Sequence, residues 1–455
     1  MIRVELTQLL APLAATLVGN NLSIASVTTD SRNVAADGLF VALKGERFDA
    51  HDFAQTAIDN GAVALLVERE LPVTVPQLLV ADCHQALGQL GALVRDAVAP
   101  KCLALTGSNG KTSVKEMVAT ICAQQHKVLF TAGNFNNDIG VPLTLLRLEP
   151  GDEIGVFELG ANHIGEIDYT SALVRPDVAL VNNVASAHLE GFGSEAGVAR
   201  AKAEIFNHLA ADGTAIINAD DQYAQVMQAA AGDHRQLTFG VEHPADVQGL
   251  NLSADAFGRY RFECRYQQQT QAISLPLAGR HQVSNALAAA AMCLAAGFSL
   301  AQIASGLAQL KPVKGRMMPV ALGRVMVVDD SYNGNPASVG AAINWLKEID
   351  ENRCLVLGDL GELGDNASLL HGELGAKAKQ AGINQLFCLG QLSSAASEAF
   401  GSRHFTELDA LVAALISHIQ VSPGQVTVLV KGSRSAGMER VVEALKAAFG
   451  RGEFC

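Results

Sequence analysis

The sequence lacks three features that would each point to a different class of protein: paired cysteines, an excess of positive charge, and a long apolar run. Its eight cysteines form no C-x-x-C pair and lie mostly in apolar segments. We therefore interpret them as buried thiols of a reduced compartment rather than as metal ligands. The formal charge of −13 disfavours nucleic acid or a membrane surface as a partner, because either polyanion would be repelled.

Membrane insertion is not expected either. The most apolar helical segment, residues 286–296, is far too short to span a bilayer. Residues 1–10 lack the long apolar region and the small-residue cleavage site of a signal peptide. These observations predict a cytoplasmic protein.

The length of 455 residues exceeds what one hydrophobic core accommodates and predicts roughly three domains. Strand and helix patterns alternate over two long stretches, which is typical of parallel sheets covered on both faces. We predict an α/β protein with a small N-terminal domain over 1–82, a central parallel-sheet domain over 83–313 and a C-terminal Rossmann-like domain over 314–455. Polar–apolar alternation predicts antiparallel strands within 235–278, and a strand is predicted over 24–32.

The most informative stretch is residues 103–113, an apolar run followed by a glycine-rich turn. It predicts a buried strand, a phosphate-binding loop and a helix start, so a nucleoside triphosphate is the first ligand to consider. Gly107 and Gly110 would let backbone N–H groups converge on phosphate oxygens. Lys111 would supply a positive charge and the Thr112 hydroxyl would hold Mg²⁺. The first glycine of the strict pattern is absent, which leaves an ordinary Gly-Lys-Thr turn as the alternative.

Three further residues follow predicted strands or lie on a predicted helix, near the edge where open α/β sheets bind their ligands. Glu158 ends an apolar strand and could bind Mg²⁺ or form an ordinary surface ion pair. His188 follows the next strand and could be a metal ligand or a capping histidine. Lys202 could point into the site or be a solvated lysine of its helix. The residue types alone leave each alternative open.

Several motifs occur in the order found in a known enzyme family. The chain resembles the Mur ligases, the ATP-dependent amide-forming enzymes of bacterial peptidoglycan precursor synthesis, over essentially its whole length. The motifs that carry the resemblance are 106–112, 134–142, 158–160, 182–193, 202–206, 279–285 and 329–336. The segments that narrow it to the members adding a D-alanyl-D-alanine dipeptide are 330–336, 356–364 and 431–434.

The resemblance implies a P-loop ATPase site in the central domain, with ATP and two Mg²⁺ ions. It also implies that Lys202 reacts with CO₂ to give a carbamate that helps hold the second ion. The implied metal ligands are Thr112, Glu158, His188 and Lys202, and the implied catalytic residues are Lys111, Lys202, His188 and Arg316. The implied nucleotide-binding residues are Gly107, Ser108, Asn109, Gly110, Lys111, Thr112, Ser113, Asn285 at the adenine, Arg316 at a phosphate and Asp330 at the ribose.

The resemblance further implies two small-molecule substrates, UDP-N-acetylmuramoyl-tripeptide and D-alanyl-D-alanine, joined through an acyl phosphate. Segments 29–32 and 44–52 of the N-terminal domain resemble those that hold the UDP end, with an ordinary charged turn as the alternative. The candidate substrate residues are Ser31, Arg32, Lys44, Asn134 and Asn137. We expect a monomer.

The departures from the family pattern are small. Ala50 stands where glycine is usual, Gly334 where alanine is usual, and Leu360 where methionine or cysteine is commoner. Two other functions are considered, a polyglutamate-adding folate enzyme of the same architecture and a regulatory P-loop ATPase that forms no bond. The dedicated first domain argues against the former, and residues for a second metal ion argue against the latter.

Overall fold

The structure is a computed structural model that describes residues 1–45, 48–185, 189–349 and 352–450. Three sheets follow one another along these residues, together with a short antiparallel strand pair near the start of the chain. The predicted α/β class with three successive units is confirmed. The exact domain boundaries after residues 82 and 313 stay predictions.

The first unit is a small sheet with short helices. Its described strands are β1 (Val4–Glu5), β2 (Thr16–Val18), β3 (Ser23–Ile24), β4 (Ser26–Thr28), β5 (Gly38–Val41), β6 (Ala62–Val67) and β7 (Gln77–Leu79). Its helices are α1 (Leu6–Leu9), α2 (Ala54–Asp59) and a 3₁₀ turn at Ala50–Phe53. β1 pairs with β3, and the remaining strands are ordered β2-β7-β6-β5-β4, with only the β2–β7 pair antiparallel among the described strands.

The strand predicted over 24–32 is wrong in extent, because β4 ends at Thr28. The Asp30 carboxylate accepts hydrogen bonds from the backbone N–H of Arg32 at 3.0 Å and from its guanidinium at 2.9 Å. This local pairing closes a turn, and a turn of this kind competes with strand pairing.

The central unit contains the longest sheet. Its strands are β8 (Lys101–Thr106), β9 (Val128–Phe130), β10 (Ile154–Glu158), β11 (Val178–Val181), β12 (Thr214–Asn218), β13 (Arg235–Gly240), β14 (Val247–Ala254), β15 (Arg259–Tyr266) and β16 (Gln269–Ala278). Its helices are α3 (Cys83–Val98), α4 (Lys111–Cys122), α5 (Gly140–Leu145), α6 (Glu166–Val174), α7 (Leu189–Phe192), α8 (Glu195–Ala203), α9 (Ala224–Ala231), α10 (His281–Ala296) and α11 (Leu300–Ala308), with a 3₁₀ turn at Glu204–Phe206.

The order of these strands is β16-β15-β14-β13-β12-β11-β8-β10-β9. Pairing is parallel from β9 to β14 and antiparallel between β14, β15 and β16. The antiparallel prediction for 235–278 is therefore confirmed for the last two pairings, whereas β13 continues the parallel part.

Alternate side chains of β8 enter different cores. Cys102 and Ala104 pack into one core, while Leu103 and Leu105 pack into the core on the other face, as strand geometry requires. The first of these cores also contains buried residues of the first unit, such as Leu66. The first two units thus share apolar packing, and β8 is fixed from both faces.

The third unit is a second doubly wound sheet. Its strands are β17 (Met318–Leu322), β18 (Val325–Asp330), β19 (Asn352–Gly358), β20 (Gln385–Leu389), β21 (His404–Phe405) and β22 (Val426–Lys431). Its helices are α12 (Pro336–Lys347), α13 (Ala367–Gln380), α14 (Ser394–Phe400), α15 (Leu408–Val421) and α16 (Glu439–Phe449), with 3₁₀ turns at Gly364–Asn366 and Arg434–Ala436. The order is β17-β18-β22-β19-β20-β21, parallel except for the β17–β18 pair.

The third unit has its own apolar cores, against one of which Ala278 of the central unit packs, and polar contacts also join the two units. Far from the phosphate loop, the Tyr260 hydroxyl lies 3.1 Å from the Glu348 carboxylate, and the Trp345 indole N–H donates to the Phe257 carbonyl at 3.4 Å. A hairpin of the central sheet therefore touches the end of α12.

No helix among the described residues is long and apolar enough to cross a membrane. The seven described cysteines are free and buried, which confirms their interpretation as buried thiols.

Leu429→Ala is expected to lower the free energy of unfolding of the third unit by about 2–5 kcal/mol, because the leucine is completely buried on β22 and truncation leaves a cavity. Trp345, the single tryptophan of the chain, lies in the same core and reports the transition by fluorescence during urea unfolding. Val421→Ala is the matched control, because that side chain is 82% exposed, and it should change the value by less than about 0.5 kcal/mol. Equal effects would contradict the packing described here.

Candidate active site

The phosphate loop connects a buried strand to a helix. β8 ends at Thr106 and α4 begins at Lys111, with Gly110 directly before the helix. Gly110 has a φ of +79°, and a Cβ atom there would lie 2.4 Å from Oδ1 of Asn285. Glycine is required, since both the backbone conformation and the neighbouring side chain exclude a larger residue. The free N–H groups of a helix start favour an anion, so this geometry suits phosphate.

Lys111 is held against the loop that precedes it. Its ammonium donates to the Gly107 carbonyl at 2.6 Å. Desolvation lowers the pKa of Lys111 and the Arg316 guanidinium lowers it further, while the Glu158 carboxylate raises it. The lysine therefore lies in a poorly solvated place where an incoming phosphate anion would favour its charged form.

Two asparagines after β11 fix the loop from the neighbouring strand. The backbone N–H of Asn109 donates to Oδ1 of Asn183 at 2.8 Å, and the side-chain amide of Asn182 donates to the Asn109 carbonyl at 2.9 Å. Ser108 adds a hydrogen bond from its hydroxyl to the Ala185 carbonyl at 3.0 Å. The loop conformation is thus set by side chains that lie about 75 residues away in sequence.

Glu158 is a buried carboxylate at the end of β10, with 3% of the residue exposed. Its Oε2 accepts a hydrogen bond from the Thr112 hydroxyl at 2.9 Å, and its Oε1 accepts one from the Asn136 amide at 2.8 Å. Its backbone N–H donates to the Thr131 hydroxyl at 3.0 Å. The carboxylate is therefore oriented from both oxygens and faces the start of α4.

Lys202 lies near this cluster rather than in solvent, with 2% of the residue exposed on α8. Burial, together with the nearby charge of Lys111, lowers the pKa of Lys202 well below its ordinary value. Among the described residues, no hydrogen bond or ion pair involves its ammonium. The solvated interpretation of Lys202 is therefore wrong. His188, the remaining expected metal ligand, lies outside the described residues.

The third unit contributes two contacts to the loop. The Arg316 guanidinium donates to the Thr112 hydroxyl at 2.8 Å, and the Asn335 amide donates to Oδ1 of Asn109 at 2.9 Å. Asn335 is also the N-cap of α12, where its side chain accepts a hydrogen bond from the Ser338 N–H. The start of α12 is therefore directed at the phosphate loop.

Asp330 lies on the same side of the third unit. Its Oδ2 accepts a hydrogen bond from the Lys431 ammonium at 2.6 Å, and its Oδ1 accepts one from the Met317 N–H at 3.2 Å. His281 of the central unit lies close enough that Asp330 raises its pKa, although burial lowers it more, so the net shift is downward. Polar groups of both units therefore surround this aspartate.

A cavity of about 920 Å³ lies between the central and third units. It brings together most of the residues that the sequence singled out, from both sides of the cleft. The predicted residues that line it are Ser108, Asn109, Gly110, Lys111, Thr112, Ser113, Asn134, Asn137, Glu158, Asn285, Arg316 and Asp330. Those that do not line it are Gly107, Lys202, Ser31, Arg32 and Lys44.

The three candidate substrate residues of the first unit are exposed or half-buried. Arg32 pairs with Asp30 in the turn after β4, and this hydrogen bonding lowers the pKa of Asp30 to about 2. Lys44 is exposed and forms an isolated strand bridge with Asp49, and Ser31 is half-buried. The structure therefore does not bring them to the cavity, and their role at a UDP group stays a prediction.

The donor set of the cavity fits Mg²⁺ and a triphosphate. Mg²⁺ prefers oxygen ligands, and the Thr112 hydroxyl and the Glu158 carboxylate lie side by side beside the loop. Lys111 and Arg316 supply positive charge next to them. No group of three or more His, Cys, Asp and Glu side chains that could hold a metal ion is found within the described ranges. Such a site would therefore depend on the substrate phosphates and on further groups.

Sequence reasoning missed five residues of the site. Each lies inside a quoted motif, but its role depends on a partner outside that motif, which the motif itself does not reveal. They are Asn136, Asn182, Asn183, Tyr332 and Asn335.

Comparison with known proteins finds similar proteins along nearly the whole length of the chain. Three family models match: "Mur ligase family, catalytic domain" over 23–95, "Mur ligase middle domain" over 105–293 and "Mur ligase, glutamate ligase domain" over 315–434. The UDP-N-acetylmuramoyl-tripeptide–D-alanyl-D-alanine ligase of Escherichia coli K12 is 48% identical, with 98% of this chain and 99% of that protein covered.

Two solved structures extend this finding. A crystal structure of MurF from Acinetobacter baumannii is 39% identical with a TM-score of 0.93, and the match covers 97% of this chain and 98% of the other. MurF from Thermotoga maritima, in complex with ADP, is 28% identical with a TM-score of 0.84, covering 94% and 98%.

Gly110→Ala is expected to weaken Mg-ATP binding by about tenfold or more, because an added Cβ displaces either the loop or Asn285. A tenfold loss of affinity corresponds to only ~1.4 kcal/mol of binding free energy. Isothermal titration calorimetry measures the dissociation constant. Gly151→Ala is the matched control, since it has a φ of +91° but nothing within 4 Å of the added Cβ. The control should lose stability without losing affinity; unchanged affinity in the Gly110 variant would mean that the loop does not bind the nucleotide.

Proposed function

We propose that this chain, which belongs to the Mur ligase family, joins D-alanyl-D-alanine to UDP-N-acetylmuramoyl-tripeptide using ATP. This is an amide-forming step of peptidoglycan precursor synthesis. The observation that carries the function is the whole-length likeness to ligases of that name together with a cavity that combines a phosphate loop, a buried carboxylate and an arginine from the third unit.

The reaction needs activation because a carboxylate is a poor electrophile. In the proposed mechanism, the terminal carboxylate of the tripeptide attacks the γ-phosphate of ATP and gives an acyl phosphate and ADP. The amine of D-alanyl-D-alanine then attacks the acyl carbon, and inorganic phosphate leaves. The first step brings an anion towards a polyanion, so the site must supply positive charge and hold the reactants in line.

Lys111 and Arg316 supply this charge from two sides of the cleft. Lys111 belongs to the loop itself, whereas Arg316 reaches the loop from the third unit and already lies 2.8 Å from Thr112. Both are placed at the β- and γ-phosphates in the proposal. Because one arises from each unit, the site is complete only when the two units are in contact.

Thr112 and Glu158 are the proposed Mg²⁺ ligands of the loop. Mg²⁺ when bound neutralises phosphate charge and orients the γ-phosphate for in-line attack. The Asn136 amide donates to one oxygen of the Glu158 carboxylate and so keeps the other oxygen aimed at Thr112. His188 is proposed as a further ligand.

A carbamate on Lys202 is proposed for the second Mg²⁺. Only a neutral amine reacts with CO₂, and burial favours the neutral form of this lysine by lowering its pKa. The product is an anion next to Lys111, so the pair would gain an attraction where two lysines would repel each other. This reversal of charge supports the modification.

The remaining candidate residues are assigned to the other parts of the substrates. Asn285 of the central unit is proposed at the adenine and Asp330 of the third unit at the ribose, and both line the cavity. Asn134 and Asn137 are proposed at the peptide end of the UDP substrate, and Ser31, Arg32 and Lys44 at its UDP end. We place the reaction in the cytoplasm, which the buried free thiols and the polar substrates support. We take the working unit to be a monomer.

A regulatory ATPase is the alternative of a different class. It would bind nucleotide at the same loop and would form no bond. The buried Lys202 beside Lys111 argues against it, because a switch has no need of a second cation site.

Release of phosphate from ATP is expected to require both UDP-N-acetylmuramoyl-tripeptide and D-alanyl-D-alanine, because each carries one of the reacting groups. A coupled phosphate assay with each substrate omitted in turn tests this, and chromatography identifies the pentapeptide product. Lys111→Ala should lose about 10²–10³-fold in turnover, as when a charge-stabilising donor is removed. ATP turnover with neither substrate present would instead favour the regulatory ATPase.

Lys202→Ala is expected to be almost inactive and to recover part of its activity when a short carboxylate such as formate is added, since the added anion replaces the carbamate. ¹³C NMR of the parent protein in ¹³C-bicarbonate should show a carbamate signal that the variant lacks. Lys127→Ala is the control, because that lysine is half exposed and pairs with Glu149. A missing signal together with no recovery would contradict the carbamate.

A further inference from the structure

We propose that Tyr332 is a positioning residue whose ring holds the Arg316 guanidinium in the direction of the phosphate loop. The inference rests on the proposed function, in which Arg316 contacts the phosphates of ATP. Tyr332 follows β18 by two residues and lines the cavity.

The geometry is that of a cation stacked on an aromatic face. The Cζ atom of Arg316 lies 4.5 Å from the centre of the Tyr332 ring, within the range at which a guanidinium is attracted by the ring. A planar guanidinium on a ring still has its edge N–H groups free to donate. One of them donates to the Thr112 hydroxyl at 2.8 Å. The ring therefore holds the guanidinium in place while one of its N–H groups reaches the other unit.

The backbone on both sides of Arg316 is tied to the same segment. Before it, the Gly315 carbonyl accepts a hydrogen bond from the Tyr332 N–H at 3.1 Å. After it, the Met317 N–H donates to Asp330 at 3.2 Å. At Gly315, φ is +75° and an added Cβ would lie 3.0 Å from Cβ of Tyr332, so only glycine allows this approach. Arg316 thus leaves a fixed backbone, and the ring sets where its side chain goes.

A second arginine shares the ring. The Cζ atom of Arg434 lies 5.7 Å from the centre of the Tyr332 ring, and its guanidinium is paired with Glu439 at 3.3 Å. Two guanidinium groups near one ring repel each other. Arg434 is paired with Glu439, whereas no ion pair of Arg316 is found within residues 1–45, 48–185, 189–349 and 352–450. The ring therefore keeps Arg316 on the side that faces Thr112.

The expected consequence is that the residue proposed at the ribose is connected structurally to the residues proposed at the phosphates. Asp330 ends β18 and Tyr332 follows it by two residues, so the proposed ribose contact and the ring beneath Arg316 are positioned by the same short segment. From Arg316 the hydrogen bonds continue to Thr112 and from there to Glu158. A nucleotide that binds Asp330 would thereby meet an arginine that is already aimed at its phosphates.

A double-mutant cycle tests the proposal with Tyr332→Leu, Arg316→Lys and the double variant. Lysine keeps the charge and cannot stack as a planar group. The quantities measured are the dissociation constant of Mg-ATP by calorimetry and kcat and KM for ATP in the ligation assay. Tyr332→Leu alone is expected to lower kcat/KM for ATP by about three- to thirtyfold, as a cation–π contact predicts. In the Arg316→Lys background the same change should cost clearly less, because the planar guanidinium is already lost and only the weaker attraction of an ammonium to the ring remains.

Two further variants exclude a merely structural role. Tyr332→Phe keeps the ring face and should retain kcat/KM within about twofold. Arg403→Lys removes the planar guanidinium that lies 4.9 Å from the centre of the Phe405 ring, and it serves as the matched control away from the cavity and from the contact between the units. Thermal unfolding and circular dichroism establish that each variant is folded.

Equal losses from Tyr332→Leu in both backgrounds would overturn the proposal, because the ring would then act without Arg316. A loss in Tyr332→Phe as large as in Tyr332→Leu would overturn it too, because the hydroxyl would then matter. If the parent protein forms no pentapeptide while Mg-ATP binding still shows the coupling, the proposed function fails and the positioning role stands.

Discussion

The site depends on the hydrogen bond between Thr112 and Glu158, which joins the start of the phosphate-loop helix to the end of a neighbouring strand. A carboxylate that is 3% exposed would be costly without donors, and this one has a donor on each oxygen. Parallel pairing of β8 with β10 puts Leu105 opposite Glu158, so the two chain segments end at the same edge of the sheet. The side chains of the candidate site lie at this edge because the strand register places the ends of both strands there.

Part of this arrangement could be predicted from sequence. The apolar run and glycine-rich turn at 103–113 define strand, loop and helix locally, since each depends on near neighbours. The Rossmann-like architecture predicted for the third unit also follows from its alternation of strands and helices, and the structure has a doubly wound sheet there. The strand predicted over 24–32 failed because the pairing of Asp30 with Arg32 breaks it, and side-chain competition of this kind is invisible to an apolar pattern.

The contacts between units could not be predicted from local patterns. Asn335 reaches Asn109 and Arg316 reaches Thr112 across more than 200 residues of sequence, and only the docking of two folded units brings them together. The role of Tyr332 could not be predicted either, because the sequence of its turn does not show that the ring lies beside a guanidinium. Burial of Lys202 is a third case, because the sequence of α8 permits either face to point outward.

The polar character of the contact between the central and third units has a thermodynamic consequence. Hydrogen bonds such as Tyr260–Glu348 and Asn335–Asn109 exchange readily with water, so each contributes only about 1 kcal/mol to docking. A nucleotide that contacts both units, as the proposed function has it, would therefore favour the docked arrangement over an undocked one. The apparent affinity for nucleotide then includes the free energy of docking the two units as well as that of the nucleotide contacts. A substitution in the hairpin beside Trp345 can therefore change this affinity without lying near the nucleotide.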